Sequence, residues 1–496
     1  MYPHFKVSTK VWAVPFAEPT SAVPAQTPCN PRSSRPRDDK NATVVSLRGE
    51  RAGGNCVHET THCGVRKAVV LAAGLSSRMA PLSNGQSKAM VRLGGLTLID
   101  RCVRTLEILG LEEIVVVAGH DIENLSRHIG RTERADLRLI EAVDWQEGNG
   151  CSLAAAEPHV GPDELFILVT VDHVFSVETL RHLVTAQAPA ALIDAAPTLP
   201  EWCEGTKVIV ERGRVAGFGK ELDSPAIDCG AFVLGADIFE AHRVASGRDD
   251  HSLAGALTAL AAVHAMDAVI VDPDTWTDVD TPKDLSQARA RLRRSLGKDS
   301  DGPVSRFLNR PVSTRISMAL AHLPISADLL SAVVAVFAIG AGLLLAAGRG
   351  VAGGIAVQAI SILDGVDGEV ARLKLRTSER GAMLDGMLDR VADAAIIGGM
   401  GAWALATAPA EQVVWITTVA LAGSMLSMAS KDRAKLLGLP AAPEGWIGWL
   451  LGGRDGRLLL IALTAAAGLP VLGLLITAIT SLLSLGIRLA YVMRKE

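Results

Sequence analysis

Four aspartates carry the first chemical signal in this sequence. In the run Asp364-Gly365-Val366-Asp367-Gly368-Glu369-Val370-Ala371-Arg372, two carboxylates stand three residues apart; Asp385 and Asp389 follow, four apart. Residues at those separations share one side of a helix. All four lie at or near the ends of strongly apolar segments, where an ionised side chain is expensive. Two such helices packed antiparallel would converge four oxygen donors on one point, a ligand set that suits the hard divalent cations Mg²⁺ or Mn²⁺. A two-metal site of this kind would grip a pyrophosphate and polarise the phosphorus under attack. Gly368 and Gly381 permit close approach of a ligand or of the other helix. Acids lining an ion pathway would be the competing explanation, and Arg372 argues against it.

A second constellation lies nearer the N-terminus. Val70-Leu71-Ala72-Ala73-Gly74-Leu75-Ser76-Ser77-Arg78-Met79 reads as a strand that runs into a small-residue loop and ends on a cation, with Lys88 ten residues beyond Arg78. Backbone N–H groups of Leu71, Ala72, Ala73 and Gly74 can surround a triphosphate, while Arg78 and Lys88 neutralise developing charge. Asp172-His173 closes another strand, and Trp276-Thr277-Asp278-Val279-Asp280-Thr281-Pro282 follows about a hundred residues later. Carboxylates at strand ends are where an open α/β sheet places its ligands. Asp278 reads as a supporting or helix-capping group; His173 either orients Asp172 or packs.

The elements that must position these groups divide the chain. Its 496 residues exceed one ordinary domain, and a formal net charge of −4 gives no sign of a nucleic-acid partner. Residues 1–65 are polar, Pro-rich and aperiodic, and read as a disordered extension. Within it Cys56, His58, His62 and Cys63 have zinc-donor types, but a chance cluster is the better account. All seven cysteines precede residue 230 at irregular spacing, which favours a reducing compartment over a disulfide framework. Apolar runs at 68–71, 114–118 and 165–171, with a helical pattern over 97–109, predict an α/β domain with a mostly parallel, Rossmann-like sheet over residues 66–295. Residues 296–325 read as a linker and a basic amphipathic juxtamembrane helix. Six apolar segments follow, near 328–347, 350–371, 386–406, 412–430, 456–468 and 470–491, against a spanning length of roughly 20 residues. The fifth is short unless it begins inside the preceding loop. Residues 326–496 therefore read as an all-α, six-helix transmembrane domain. Lys and Arg cluster after the second and fourth segments and at the C-terminus, which places both ends on the cytoplasmic side. Lys431, Arg433, Arg454 and Arg457 sit at cytoplasmic ends, either as anchors to anionic lipid or as a site for an acceptor phosphate.

The pattern D-x2-D-G-x2-A-R-x8-G-x3-D-x3-D resembles the signature of the CDP-alcohol phosphotransferases, and every position of it is filled. The resemblance implies that Asp364, Asp367, Asp385 and Asp389 bind the metals and the CDP diphosphate. It implies that Asp389 is the general base, that Gly368, Arg372 and Gly381 contact the nucleotide, and that the protein is a homodimer. Residues 67–285 resemble the sugar-nucleotide and MobA-like nucleotidyltransferases. That likeness implies Mg²⁺ on Asp172 and Asp280, phosphates on Arg78 and Lys88, and base recognition by Asn149 and Ser152. It implies an acceptor-phosphate and sugar side at Thr206-Lys207 and Asp228-Cys229-Gly230.

Joined in one chain, the halves resemble the bifunctional enzymes of di-myo-inositol phosphate synthesis. The expectation is then two reactions. CTP and inositol 1-phosphate give CDP-inositol and pyrophosphate; CDP-inositol and a second inositol 1-phosphate give phosphorylated di-inositol phosphate and CMP. The rivals are a CDP-glycerol or other CDP-polyol pathway to a phospholipid in the bilayer, an ion transporter with a regulatory nucleotide-binding domain, and a scaffold with a dead soluble domain. The last would lack Arg78, Lys88, Asp172 or Asp280, and all are present.

Overall fold

A computed structural model of the chain describes residues 64–74, 77–79, 85–130, 136–272, 274–298, 301–439 and 453–494. The expected disordered extension, up to residue 63, and the Cys56, His58, His62, Cys63 group lie outside them.

The soluble half is built on strands β1 (Lys67–Ala72), β2 (Arg92–Leu93), β3 (Leu96–Thr97), β4 (Glu113–Ala118), β5 (Leu137–Glu141), β6 (Phe166–Thr170), β7 (His173–Phe175), β8 (Ala190–Asp194), β9 (Lys207–Glu211), β10 (Arg214–Gly219), β11 (Ile227–Leu234), β12 (Met266–Ile270) and β13 (Trp276–Asp278). Helices α1 (Leu98–Ile108), α2 (Ile122–Ile129), α3 (Asn149–Ala154), α4 (Val177–Val184), α5 (Leu199–Glu204), α6 (Asp237–Ser246), α7 (Leu253–Val263) and α8 (Pro282–Arg294) join them. Nine strands form one sheet in the order β5-β4-β1-β6-β11-β8-β12-β10-β9.

β1 shows why the sheet is central. Every one of its residues is buried, and their alternation sends Ala68, Val70 and Ala72 into one core and Val69 and Leu71 into the other. A strand covered on both faces reads as a continuous apolar run. β5, β4, β1 and β6 are mutually parallel. The other half of the sheet is mixed, because β11 runs antiparallel to β6 and β8 and β9 and β10 form a hairpin. Its turn uses Arg212 and Gly213 at φ 51° and 80°, the left-handed geometry that matches strand twist. The chain leaves β1 toward β4 and returns to its other side at β6. The strand ends at that reversal carry Gly74 and Asp172, the position at which open α/β sheets place their ligands.

A turn over Val304–Asn309 leads into α9 (Arg310–Leu320). Phe307, Leu308 and Val312 point outward, whereas Ser305, Asn309, Ser313, Thr314 and Ser317 are buried. An apolar outer face with a polar inner face suits a helix lying at a bilayer surface. The inner face serves Glu369, which is fully buried: Ser313 and Ser317 donate to it at 2.7 and 2.6 Å.

Helices α10 (Ala327–Ala346), α11 (Gly350–Leu373), α12 (Glu379–Ala404), α13 (Ala410–Leu436), α14 (Arg454–Ala466) and α15 (Pro470–Met493) follow. They fall at the positions of the six expected segments. Four helical stretches, Ala327–Ala346, Gly350–Leu373, Ala410–Ala434 and Pro470–Met493, are long and apolar enough to cross a membrane. α12 carries the acid cluster, and α14 has only 13 residues. The loop before α14 that would lengthen this fifth segment lies outside the described residues. Small residues bring the helices together, as expected where lipid supplies no hydrophobic drive. A Cβ on Gly399 of α12 would meet the Gly342 carbonyl oxygen of α10 at 2.0 Å, and one on Gly354 of α11 would meet the Ala462 carbonyl oxygen of α14 at 2.5 Å.

Two candidate active sites

The first site gathers where β7 and β13 pair, with Asp278 opposite His173. This short ribbon is what joins Asp172 to residues a hundred positions away; the Val279 amide donates to the Asp172 carbonyl at 3.1 Å. Lys88 starts a tight turn capped by Ser87. Its ammonium lies 3.0 Å from Asp172 Oδ2 and also contacts Asp280. Arg78 donates to Asp280 at 2.6 Å and to Glu204 at 3.0 Å. Both expected cations and both expected carboxylates are thus in one network.

His173 both orients and packs. Its Nδ1 is 2.9 Å from Asp172 Oδ1 and 2.6 Å from Thr170 Oγ1, and its ring stacks on Trp276 with centroids 5.6 Å apart. Burial opposes its charge, but the Asp278 and Asp172 carboxylates outweigh burial and lift it to about 9. Burial also works against the Asp172 carboxylate, but Lys88 and His173 hold it well below the usual range. Asp278 is pushed the other way, to about 6, by burial and then, against the pull of His173, by Asp172 and Asp280.

Asp278 caps no helix: the start of α8 is capped by Thr281 and Asp284. Instead one ligand atom from each of Asp172, His173 and Asp278 lies within 4.8 Å of the others, and Asp278 Oδ1 is buried without a hydrogen-bond partner among the described residues. An orphaned carboxylate oxygen beside the Asp172 carboxylate fits a divalent cation. The sequence already hinted at Asp278, two residues before Asp280.

Asn149 opens α3, but its side-chain oxygen accepts the Leu253 amide at 2.7 Å, and Ser152 is buried. Their segment is clamped to the loop at His251, whose carbonyl oxygen a Cβ on Gly148 would meet at 2.3 Å. Lys207 is buried, with Nζ 4.7 Å over the Trp202 ring. The Asp228 carboxylate holds the Gly230 amide at 2.8 Å. Gly230, at φ +71°, sits so close to the site that a Cβ would meet Thr170 Oγ1 at 2.6 Å. The expected sugar side therefore borders His173.

The second site lies between α10, α11 and α12. Asp364, Asp367, Asp385 and Asp389 line one small cavity together with Ser331, Val334, Ala335, Leu388 and Ala392. Ser331 and the Gly368 amide both contact the Asp367 carboxylate. Four oxygen-donor side chains around one cavity fit hard divalent cations. Arg454, delivered by the close packing of α14 on α11, contacts Asp364 and lies 2.8 Å from both Asp389 and Asp393. Arg457 is 4.0 Å from Asp393, and Ser424 donates to Asp393 at 2.9 Å. Asp393 is the residue that motif reading passed over. Its separation from Asp389 repeats the four-residue step of Asp385 and Asp389, which is the signal that could have found it.

Arg372 lies over Gly368, where a Cβ would meet its Nη1 at 3.3 Å, and its Nε is buried with no hydrogen-bond partner among the described residues. Gly381 sits in the first turn of α12, its amide held by Ser378 at 3.0 Å. Lys431 and Arg433 are exposed near the end of α13, with Asp432 between them contacting Arg390. Of the four basic residues expected at this end, the structure brings Arg454 and Arg457 to the acids and leaves the other two on the surface.

Residues 68–203 match the family described as MobA-like NTP transferase domain, and residues 324–490 match CDP-alcohol phosphatidyltransferase. The chain is 39% identical over 417 residues to the bifunctional IPC transferase and DIPP synthase of Rubrobacter xylanophilus, covering 83% of this chain and 92% of that one. It is 33% identical over 373 residues to the protein of the same description from Thermococcus kodakarensis, covering 74% and 82%. Among solved structures, the inositol-1-phosphate CTP transferase from T. maritima aligns with a TM-score of 0.43 at 21% identity, over 47% of this chain and 99% of that chain.

Proposed function

The chain belongs to the family of bifunctional IPC transferases and DIPP synthases, and we propose that its two sites act in sequence on inositol phosphates. CTP and myo-inositol 1-phosphate give CDP-inositol and pyrophosphate at the soluble site. CDP-inositol and a second inositol 1-phosphate give phosphorylated di-myo-inositol phosphate and CMP at the membrane site. The observation that carries this reading is the presence in one chain of both constellations: Lys88 between Asp172 and Asp280, and four aspartates around one cavity of an apolar helix bundle.

At the soluble site a phosphate oxygen of inositol 1-phosphate attacks the α-phosphorus of CTP in line, and the bond to pyrophosphate breaks. The backbone of Leu71–Gly74 cradles the triphosphate, and Arg78 and Lys88 take up charge on the departing pyrophosphate. Asp172 and Asp280, with Asp278 beside them, would hold a divalent cation, for which we take Mg²⁺; it would neutralise the phosphates. Asn149 and Ser152 belong to the base side of the pocket, and Lys207 and Asp228 to the inositol phosphate side.

At the membrane site an acceptor hydroxyl attacks the phosphorus that bears inositol, and CMP leaves. Asp389 accepts the hydroxyl proton, while Gly368, Arg372 and Gly381 face the nucleotide. Asp364, Asp367, Asp385 and Asp389 would hold divalent cations, whose charge would help to bind the diphosphate and polarise its phosphorus. A phosphorylated acceptor would give Arg454 and Arg457, and the exposed Lys431 and Arg433, a common partner. We assign residues 66–295 to the soluble enzyme and 326–496 to a multi-pass, homodimeric membrane enzyme. Both termini would be cytoplasmic, because Lys and Arg cluster after the second and fourth apolar segments and at the C-terminus.

The test is phosphorus NMR on detergent-solubilised protein with CTP, Mg²⁺ and inositol 1-phosphate. A CDP-inositol diphosphate signal that decays to a phosphodiester as CMP appears, in the aqueous phase, and that is abolished by EDTA, is the expected result. Turnover only with another phospho-alcohol, or a product that partitions into chloroform, would sink the inositol assignment.

A further inference from the structure

Three consecutive residues close the signature helix α11, and each is held by a group that precedes the membrane segments in the chain. Arg372 donates to the Leu296 carbonyl at 3.1 Å. The Leu373 carbonyl accepts Arg101 Nη2 at 2.9 Å, and the Lys374 carbonyl accepts Arg104 Nη1 at 2.6 Å. Arg101 and Arg104 lie one turn apart on α1 of the soluble half. Arg101 is 5% exposed, and the same nitrogen donates to the Leu93 carbonyl at 2.8 Å.

The surroundings are built to bring the two halves this close. Gly94 and Gly95 turn the β2–β3 hairpin at φ +58° and +87°. A Cβ on Gly95 would meet the Ala321 carbonyl oxygen at 2.1 Å, and one on Gly94 would meet Leu292 at 2.6 Å and Leu373 at 3.2 Å. Leu296, Ala321 and Leu373 form a small buried apolar cluster beside them. Lys374 in turn donates to the Leu323 and Ile325 carbonyls at 2.7 and 2.8 Å.

The last carbonyls of a helix have no partner within it, and a cation placed there is favoured by the helix dipole as well. Here those cations come from another domain. The turn they cap is also the one that carries Arg372, whose guanidinium lies over Gly368. We propose that Arg101 and Arg104 are positioning residues for the phosphotransfer site: by capping α11 they fix the turn bearing Arg372, so the affinity of the membrane site for a CDP group depends on the docked soluble domain. This rests on the reading of α11 as the CDP-binding helix.

The experiment uses full-length protein in detergent carrying Arg101→Ala, Arg101→Lys or Arg104→Ala. CMP release is followed against supplied CDP-inositol, and pyrophosphate release from CTP is the control. Arg101→Ala should raise KM for CDP-inositol roughly ten-fold, the scale of one lost charge-assisted bond, at near wild-type kcat. Arg104→Ala should raise it roughly three-fold, Arg101→Lys should recover part, and pyrophosphate release should hold within about two-fold. Unchanged KM in both alanine variants overturns the proposal, as does a parallel fall of both reactions. If wild-type protein binds CDP yet does not turn over CDP-inositol, the functional reading fails instead. The component of CDP binding lost in Asp364→Asn, measured by calorimetry with Mg²⁺, then decides in place of KM: weaker in Arg101→Ala supports the proposal, unchanged overturns it.

Discussion

Arg454 Nη1 lies 2.8 Å from Asp389 Oδ1. The same side chain reaches Asp393 through Nε at 2.8 Å and contacts Asp364, so one planar fork joins three carboxylates from two helices. A lysine carries the charge but not the fork. Arg454→Lys is therefore expected to lower CMP release from CDP-inositol by about ten-fold or more, and Arg454→Ala by about a hundred-fold. CDP-inositol synthesis from CTP should be unchanged in both, as read by a pyrophosphate assay.

The two sites share no described side chain, so their losses should separate. Asp172→Asn or Lys88→Ala should cut CDP-inositol formation by about 10²–10³-fold while supplied CDP-inositol is still consumed. Asp389→Asn should do the reverse and let CDP-inositol accumulate. A chromatographic time course of CTP, CDP-inositol and CMP distinguishes the patterns; equal loss of both steps in either class would refute separate sites.

Neighbouring glycines on α12 should behave differently. A Cβ on Gly399 would strike the Gly342 carbonyl oxygen at 2.0 Å, whereas one on Gly398 meets nothing within 4 Å. Gly399→Ala should destabilise the bundle by about 1–3 kcal/mol and loosen the acid cluster, which begins about three turns away at Asp389; Gly398→Ala should be close to neutral. Thermal unfolding in detergent, with CMP release alongside, checks the pair.

Asp100 supplies a pH signature of the soluble fold. Burial raises its pKa, but hydrogen bonds from His128 and Thr97 outweigh this and bring it to about 2. Its folded value lies below the unfolded value of about 4, so its contribution is complete above pH ~4 and is lost as pH falls toward about 2. Asp100→Asn should cost about 1–2 kcal/mol near pH 6, and the gap to wild type should close on acidification. A gap that stays constant between pH 6 and pH 2.5 would exclude the mechanism.

The chemistry of both halves was legible in the sequence because it rests on local rules. Spacings of three and four put Asp364 with Asp367, and Asp385 with Asp389, on common helix faces. A buried strand running into Ala73-Gly74 raises the expectation of a phosphate loop, and β1 does end there. Six helices lie where apolar runs foretold them, and β5, β4, β1 and β6 are parallel as the strand–helix alternation required. Local pattern does not report which distant groups meet.

Packing alone decided that Asp278 joins His173 through the β7–β13 ribbon, and that the far half of the sheet is mixed. It also decided that Arg454 reaches back to Asp364 and Asp393 across a helix crossing made close by Gly354. Arg101 and Arg104 look in sequence like the polar face of an amphipathic helix, the ordinary solvated case. They become caps of a membrane helix because the Gly94-Gly95 turn lets the Ala321 backbone approach at a distance no side chain would allow, with Leu373 packed beside it. Periodicity is set by covalent geometry and is written in neighbouring residues. Partnership across more than two hundred positions is set by the shapes of packed surfaces, and exists only once the chain has folded.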